Sequence, residues 1–288
     1  MKRKPLYIFL AVLILAGAAI LLSLILSTCG LSVTRYSIAS PKLREPLRIV
    51  QLTDLHNSVF GAHNRRLVSK VAAQEPDLIL ITGDLLNANE ERTDIATELI
   101  GQLKPIAPVY VSLGNHEVAY EKRYGTDLKE LYTKAGAVVL EYDWAEIEVK
   151  GQKLRLGGLF GYCLPAKLLK TKEARPEECA FLEAFQDTDA HTILLCHMPY
   201  SWIKKGSLNS WDVDCVLCGH VHGGQVRIPF VGGLWAPDQD WFPGWESGIY
   251  SSKEGNKVMV LSRGLGNTDK LPRFNNIPEI LVLDLVPA

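Results

Sequence analysis

Five short segments hold most of the chain's histidines, and each begins where a run of apolar residues ends. They carry Asp54 and His56, then Asp84, then Asn115 and His116, then His197, then His220 and His222. Of seven histidines, only His63 and His191 lie outside these segments. The preceding runs, 48–53, 77–82, 109–113, 191–196 and 213–218, are short and rich in Val, Ile and Leu, the pattern of strands buried on both faces. In open α/β sheets, ligands gather outside the carboxyl ends of the strands. A chain with acids and imidazoles at five strand ends is therefore expected to fold so that those ends converge.

The remaining pattern fits such a fold. Helical spacing marks 64–74, 93–104, 127–135 and 178–185, with Pro76 and Pro105 ending the first two. Residues 145–149 and 153–159 flank Lys150, Gly151 and Gln152 and read as a hairpin, and 257–261 and 279–285 read as closing strands. Early strand–helix alternation followed by a β-rich second half predicts an α/β (α+β) fold. The layout is a four-layer α-β-β-α sandwich of two packed mixed sheets, preceded by one N-terminal transmembrane helix. No internal repeat or low-complexity tract interrupts it.

The membrane segment rests on residues 6–26, which contain no charge. At 1.5 Å per residue they span about 30 Å, one hydrocarbon core, and their apolar character on all faces suits lipid better than a protein core. A cleavable signal peptide has a shorter apolar region, and 27–29 make a poor cleavage site. Lipid attachment at Cys29 is a further alternative, with Thr28 an awkward neighbour. Basic residues precede the span, so the expected order is a cytoplasmic tail over 1–5, an anchor over 6–26, a linker over 27–46 and a catalytic domain over 47–288. That makes a single-pass membrane protein with its catalytic domain outside the cytoplasm. The net charge of -1 gives no basic excess for nucleic acid, and none is expected as a partner. Cys215 and Cys218 have metal-like or redox-like spacing, but on a strand they point to opposite faces and read as core residues.

Taken singly, each strand-end segment has an ordinary role. Asp54 could cap a turn, Gly83 and Asp84 could form one, Asn115 could cap a helix, and His197 could be a satisfied core histidine. Together they form a donor set of imidazole, carboxylate and amide oxygen suited to divalent Mn, Fe or Zn. Two such ions can hold a phosphate, lower the pKa of a bound water and stabilise in-line displacement.

The order Asp54-x-His56, Gly83-Asp84, Gly114-Asn115-His116-Glu117, His197, Gly219-His220-Val221-His222 resembles the calcineurin-like metallophosphoesterase superfamily. The tail, with Gly223, Gly224 and Gln225, then 262–266 and 271–274, resembles its membrane-associated cell-envelope phosphodiesterases. The resemblance implies two divalent ions per chain, with Mn expected and Fe or Zn as alternatives. It implies that Asp54, His56 and His222 hold the first ion, that Asn115, His197 and His220 hold the second, and that Asp84 bridges them. His116 would act on the phosphate or the leaving oxygen, and Glu117 is at most a support. The chain departs from phosphoprotein phosphatases, which follow this Gly-Asp with a second Asp and an Arg. Here Asn87 stands in place of that Asp, so His116 must be oriented by something else.

The implied substrate is a phosphate ester, with phosphodiester or pyrophosphate bonds of a lipid-linked or cell-wall substrate favoured by the anchor. A phosphomonoesterase, or a metal-containing scaffold without turnover, are the rival readings. Phe230, Trp235, Trp241, Phe242, Trp245 and Tyr250 cluster after the last motif. They read either as a self-pinned surface loop or as a cleft wall or lipid-contacting patch. Arg227, Arg263 and Arg273 are read as phosphate contacts or as solvated side chains.

Overall fold

The computed structural model describes residues 4–163, 176–267 and 271–288. Lys2 and Arg3 of the basic start lie outside the described residues. A first helix, α1 (Lys4–Cys29), leads into a sheet of six strands. In chain order these are β1 (Ser32–Ser40), β2 (Leu47–Leu52), β3 (Leu78–Thr82), β4 (Val109–Ser112), β5 (Val138–Val139) and the last strand of the chain, β16 (Glu279–Pro287). Their spatial order is β1-β16-β2-β3-β4-β5, with only the β16–β2 pair antiparallel. Helices α2 (Arg65–Ala72), α3 (Asp94–Leu103), α4 (Asn115–Tyr124) and α5 (Leu128–Ala135) fall between these strands.

The second sheet comprises β6 (Asp143–Val149), β7 (Gln152–Leu159), β8 (His191–Cys196), β9 (Cys215–Cys218), β14 (Gly248–Ser251) and β15 (Val258–Leu261). Its order is β14-β15-β9-β8-β7-β6, parallel except at its two edges. Helices α6 (Pro176–Phe185), α7 (Tyr200–Ile203) and α8 (Ser207–Ser210) belong to this half. Two ribbons complete it: β10 (Arg227–Ile228) pairs with β11 (Gly232–Gly233), and β12 (Trp235–Ala236) with β13 (Asp240–Trp241).

Strand periodicity sorts the apolar residues into three cores. Ile79 and Ile81 of β3 and Val282 of β16 face α2, α3 and α5, meeting Leu67, Leu99 and Tyr132. Their neighbours Leu78, Leu80 and Leu283 point the other way, against Ile193, Leu195 and Leu217 of the second sheet. Leu194, Cys196 and Val216 then pack on Leu182, Phe185, Trp202 and Leu208 of α6–α8. Side chains alternate across each strand, so a continuous apolar run feeds two cores at once. These three interlayer cores are those of the expected α-β-β-α sandwich. Cys215 lies in the middle core and Cys218 in the outer one, on opposite faces of the sheet.

One expectation fails. Residues 27–46, read as a linker, contain β1, which pairs with β16 over nine residues from Ser32–Glu279 to Ser40–Pro287. Leu31, Ile38 and Leu43 are buried there. Lys42 pairs with Asp214 at 2.9 Å, and Ser40 Oγ lies 3.0 Å from His191 Nδ1, so this segment also ties the two sheets together. The segment looked polar because an edge strand buries only part of one face.

Helix α1 carries an apolar stretch, Leu6–Cys29, with mean hydropathy 3.0, long and apolar enough to cross a membrane. Its last turns touch the domain. Ser23 Oγ accepts from Asn275 N at 2.9 Å, and Ser27 Oγ from Asn276 N at 3.1 Å.

Two soluble fragments test the role of β1. A fragment 31–288 should unfold cooperatively in urea, whereas 45–288 loses three buried aliphatic side chains. At about 1.5–3 kcal/mol each, the loss is on the order of 5 kcal/mol, enough to make the shorter fragment aggregate or unfold at much lower denaturant. Equal midpoints would show that β1 is dispensable.

Candidate metal centre

The carboxyl ends of β2, β3 and β4 meet those of β8 and β9 where the two sheets face each other, and the five motifs lie there. Asp54, Asp84, His197, His220 and His222 are all buried, and His56 is only 5 % exposed. Among the described residues, three sets of ligand atoms have all members within 4.8 Å of one another: Asp54, His56 and His222; Asp84, His197 and His220; and His56, Asp84 and His116. Asp84 Oδ2 stands 3.6 Å from His56 Nε2 and 3.1 Å from His197 Nε2, at the junction of the first two sets.

The backbone is bent to achieve this. Asp54, His56, Asp84, His220 and His222 all have positive φ, between 47° and 74°. Side chains rarely adopt that region, and such residues persist only where surrounding contacts hold them. Here Asp54 N donates to Gly83 O, His56 N to Asp84 O, and Gly266 N to Asp54 O. Glycine serves close approach as well as turning. A Cβ at Gly114 would collide with Asp84 Oδ1, and one at Gly219 with Thr53 Oγ1.

Second partners fix which nitrogen the His197 and His56 rings present. His197 Nδ1 lies 2.7 Å from Thr82 O and His56 Nδ1 3.0 Å from Asn87 Oδ1, while His222 Nδ1 faces both Gly266 O at 3.3 Å and Arg273 Nη2 at 3.4 Å. An N–H facing an oxygen leaves Nε2 as the bare donor atom, the arrangement usual for metal-ligating histidine. Asn87 Nδ2 donates to His56 O at 3.2 Å and to Glu90 Oε1 at 2.7 Å, which sets the amide so that its oxygen meets the ring. His56 Nε2 and His222 Nε2 stand only 3.2 Å apart. Asn115 Oδ1 is buried without a hydrogen bond, as are His197 Nε2 and His220 Nε2. Buried polar atoms need partners, and a pair of divalent cations satisfies every one of these at once.

The electrostatics agree. Burial disfavours charge on Asp84, but His197, His56 and His116 outweigh it and hold the carboxyl well below its usual range. Asp54 is likewise held low against burial, by His222, His56 and His197. Burial also opposes charge on His197, yet Asp84 and Asp54 raise it to about 10, so a cation binding at Nε2 must displace a proton there. The pocket thus keeps two ionised acids in the protein interior, where only cations make them tolerable.

The structure gives Glu117 a definite supporting role and adds three contacts that the motifs did not show. Glu117 is fully buried and accepts from Asp84 N, Leu85 N and Gly114 N at 2.8, 2.7 and 2.8 Å. It clamps the two loops that carry Asp84 and Asn115, although burial and Asp84 push its own carboxyl up. Asn87 orients His56 rather than His116. His116 is held instead by the backbone, its Nδ1 accepting from Ala88 N at 3.1 Å. In the neutral ring the proton then sits on Nε2. Asp238, from the aromatic-rich segment, brings Oδ2 to 3.3 Å from His220 Nε2, outside hydrogen-bond geometry.

Each of the three arginines is engaged within the chain. Arg273 is 1 % exposed and donates to Gly266 O, Arg263 O and His222 O. Arg263 pairs with Glu279 at 2.9 Å and Arg227 with Glu246 at 2.8 Å. The aromatic cluster divides: Trp245 and Tyr250 pack on the outer core, while Phe230, Trp241 and Phe242 are exposed. His63 and His191 lie apart, beside Glu98 and Ser40.

Comparisons with known proteins show the family. The chain is 30% identical over 254 residues to the phosphodiesterase YaeI of Escherichia coli strain K12, covering 84% of this chain and 83% of that protein. It is 28% identical over 294 residues to an uncharacterized metallophosphoesterase, Cj0846, of Campylobacter jejuni, covering 99% and 73%. Among solved structures, a 5'-nucleotidase precursor from Thermus thermophilus superposes with a TM-score of 0.50 at 18% identity. That match covers 76% of this chain and 48% of the other, and it bears on the fold alone. The sequence model of the calcineurin-like phosphoesterases matches residues 47–224, the stretch that contains every residue of the two ligand sets and the shared Asp84. The chain belongs to the calcineurin-like phosphoesterase family.

Proposed function

We propose that this protein hydrolyses phosphodiester or pyrophosphate bonds at a two-metal centre, on a lipid-linked or cell-wall substrate outside the cytoplasm. The observation that carries the reaction is the adjacency of two buried ligand sets, Asp54, His56 and His222 beside Asp84, His197 and His220, with Asp84 Oδ2 also 3.6 Å from His56 Nε2. Asp54, His56 and His222 would hold one divalent ion, Asn115, His197 and His220 the other, and Asp84 both. Mn is the expected metal, with Fe or Zn fitting the same donors. Ions bound there supply charge to hold the phosphate and an activated water for in-line displacement. The chain's own part is to hold the donors rigid, through Glu117, Asn87 and Arg273, and to place His116. With Nδ1 accepting from Ala88 N, the proton of the neutral ring sits on Nε2, the nitrogen that can act as the donor. We assign it to the leaving oxygen. The preference for diesters rests on the similarity to YaeI. The location outside the cytoplasm rests on α1 as a single membrane span preceded by basic residues.

The purified protein should contain two divalent ions per chain by elemental analysis and should cleave bis-p-nitrophenyl phosphate faster than the monoester. Asp84→Ala should lose both metal and activity by more than about 100-fold, whereas Glu117→Gln, which disturbs a support, should lose about 10–100-fold. A metal-free protein, or an active Asp84→Ala, would overturn the assignment.

His116→Asn should keep its metals. With poor leaving groups it should lose about 10²–10⁴-fold, the usual contribution of a general acid. The loss should shrink across an ester series as leaving-group pKa falls. An equal loss on every ester would make His116 a stabiliser of phosphate charge, and loss of metal would make it a ligand.

A reporter fused after residue 288 should work only if it needs export. Activity of a reporter that requires the cytoplasm would reverse the orientation.

A further inference from the structure

Residues 228–237 contain no charge, yet they begin as an exposed hairpin. Arg227 pairs with Gly233 and Ile228 with Gly232, which leaves Pro229, Phe230 and Val231 as the tip. Phe230 is fully exposed and Val231 is 60% exposed; on the adjoining ribbon Trp241 and Phe242 are 62% and 61% exposed. The Phe242 N–H donates to Leu234 O, joining the two ribbons. A soluble surface seldom presents such a group, and Trp and Phe together suit the boundary between lipid and water.

The hairpin's level is set by helix α1. Asn275 donates its backbone N–H to Ser23 Oγ at 2.9 Å and its side-chain Nδ2 to Arg227 O at 3.1 Å. Ser23 lies within the apolar stretch, among the exposed Leu22, Leu24, Ile25 and Leu26. Arg227 is thus tied to the last turns of the apolar helix. Its guanidinium pairs with Glu246, so the hairpin base is polar and the tip apolar. At roughly 3.3 Å per residue, Phe230 reaches about 10 Å beyond Arg227, and interfacial elements bury their apolar faces to about 5–10 Å.

We propose that the β10–β11 hairpin, with Trp241 and Phe242, inserts into the interface of the bilayer that α1 spans and seats the metal centre on the lipid surface. The proposal rests on the reading of α1 as a membrane span. The hairpin is continuous with the site. Gly224 and Gly233 touch backbone to backbone, Leu234 N donates to Gly224 O, and Asn276 Nδ2 donates to His222 O at 2.7 Å. The loop that carries His222 is thereby held directly against the base of the inserted hairpin.

The test uses the full chain in nanodiscs of phosphatidylethanolamine and phosphatidylglycerol. Cys29 is changed to Ser; the other five cysteines are buried. Spin labels are placed at Val231→Cys, at Leu15→Cys in the helix and at Lys129→Cys on an exposed face of α5. Accessibility to oxygen and to a nickel chelate is compared, with near-ultraviolet circular dichroism to show folding and Phe230→Cys as a second tip position. The oxygen-to-nickel ratio at 231 should lie several-fold above that at 129 and approach that at 15. A ratio at 231 equal to that at 129, with 15 in lipid, overturns the proposal alone. Water access at both 231 and 15 overturns the membrane span and the proposal with it. Shielding of 231 from both reagents with dipolar broadening would show a second copy of this chain on the hairpin, which also overturns it.

Discussion

The carboxylate of Asp84 is the point on which the rest of the structure turns. It is buried at 1 % exposure, with Oδ1 bonded to His116 N at 2.8 Å and Oδ2 facing two imidazoles. To stand there, its backbone takes a positive φ, its N–H is held by Glu117, and the neighbouring loop comes close enough that only Gly114 fits. An ionised acid in a protein interior is costly without compensating charge. The surrounding imidazoles and the cations they are shaped to hold are that compensation. The two sheets must face each other with their parallel strands aligned so that five loops reach this one group.

Rigidity at the centre is built mainly from backbone contacts. Glu117 uses its two oxygens on three main-chain N–H groups from two loops. Arg273 spreads its guanidinium over three carbonyls, including that of His222. Both charged side chains are buried, and both act on residues that carry or adjoin ligands. Charge-assisted hydrogen bonds of this kind are stronger than neutral ones, which suits loops held in strained conformations. The exchange of Asp for Asn at position 87 fits the same scheme. A neutral amide can accept from His56 while donating to Glu90, whereas a carboxylate could only accept.

The apolar helix is coupled to this centre rather than merely attached to the domain. Ser27 holds Asn276, and Asn276 holds His222 O and Gln225 O. Strand β1 then takes the chain directly from the helix into the first sheet, beside β16. Helix, edge strand and ligand loop form one packed unit, so the position of the site relative to the helix is defined by the fold. A flexible tether would leave that orientation free.

The acids and histidines that the fold gathers, and the strands before them, were legible in the sequence because both signals are local. A buried parallel strand is a short apolar run, and the acid or histidine after it stands out. The alternation that sorts Ile79 from Leu80 into different cores follows from the period of a strand alone. What escaped was non-local. Strand β1 is half-exposed and finds its partner 247 residues later, at Ser32–Glu279, so nothing nearby distinguishes it from a linker. Glu117, Asn87 and Arg273 are single polar residues, and their roles depend on which backbone groups the fold brings within about 3 Å. The sequence by itself determined the chemistry of the donors and the class of fold, through composition at strand ends and the period of the runs between them. Only the tertiary structure decided how each ring is turned and which residues hold it, because those follow from contacts between segments far apart in the chain.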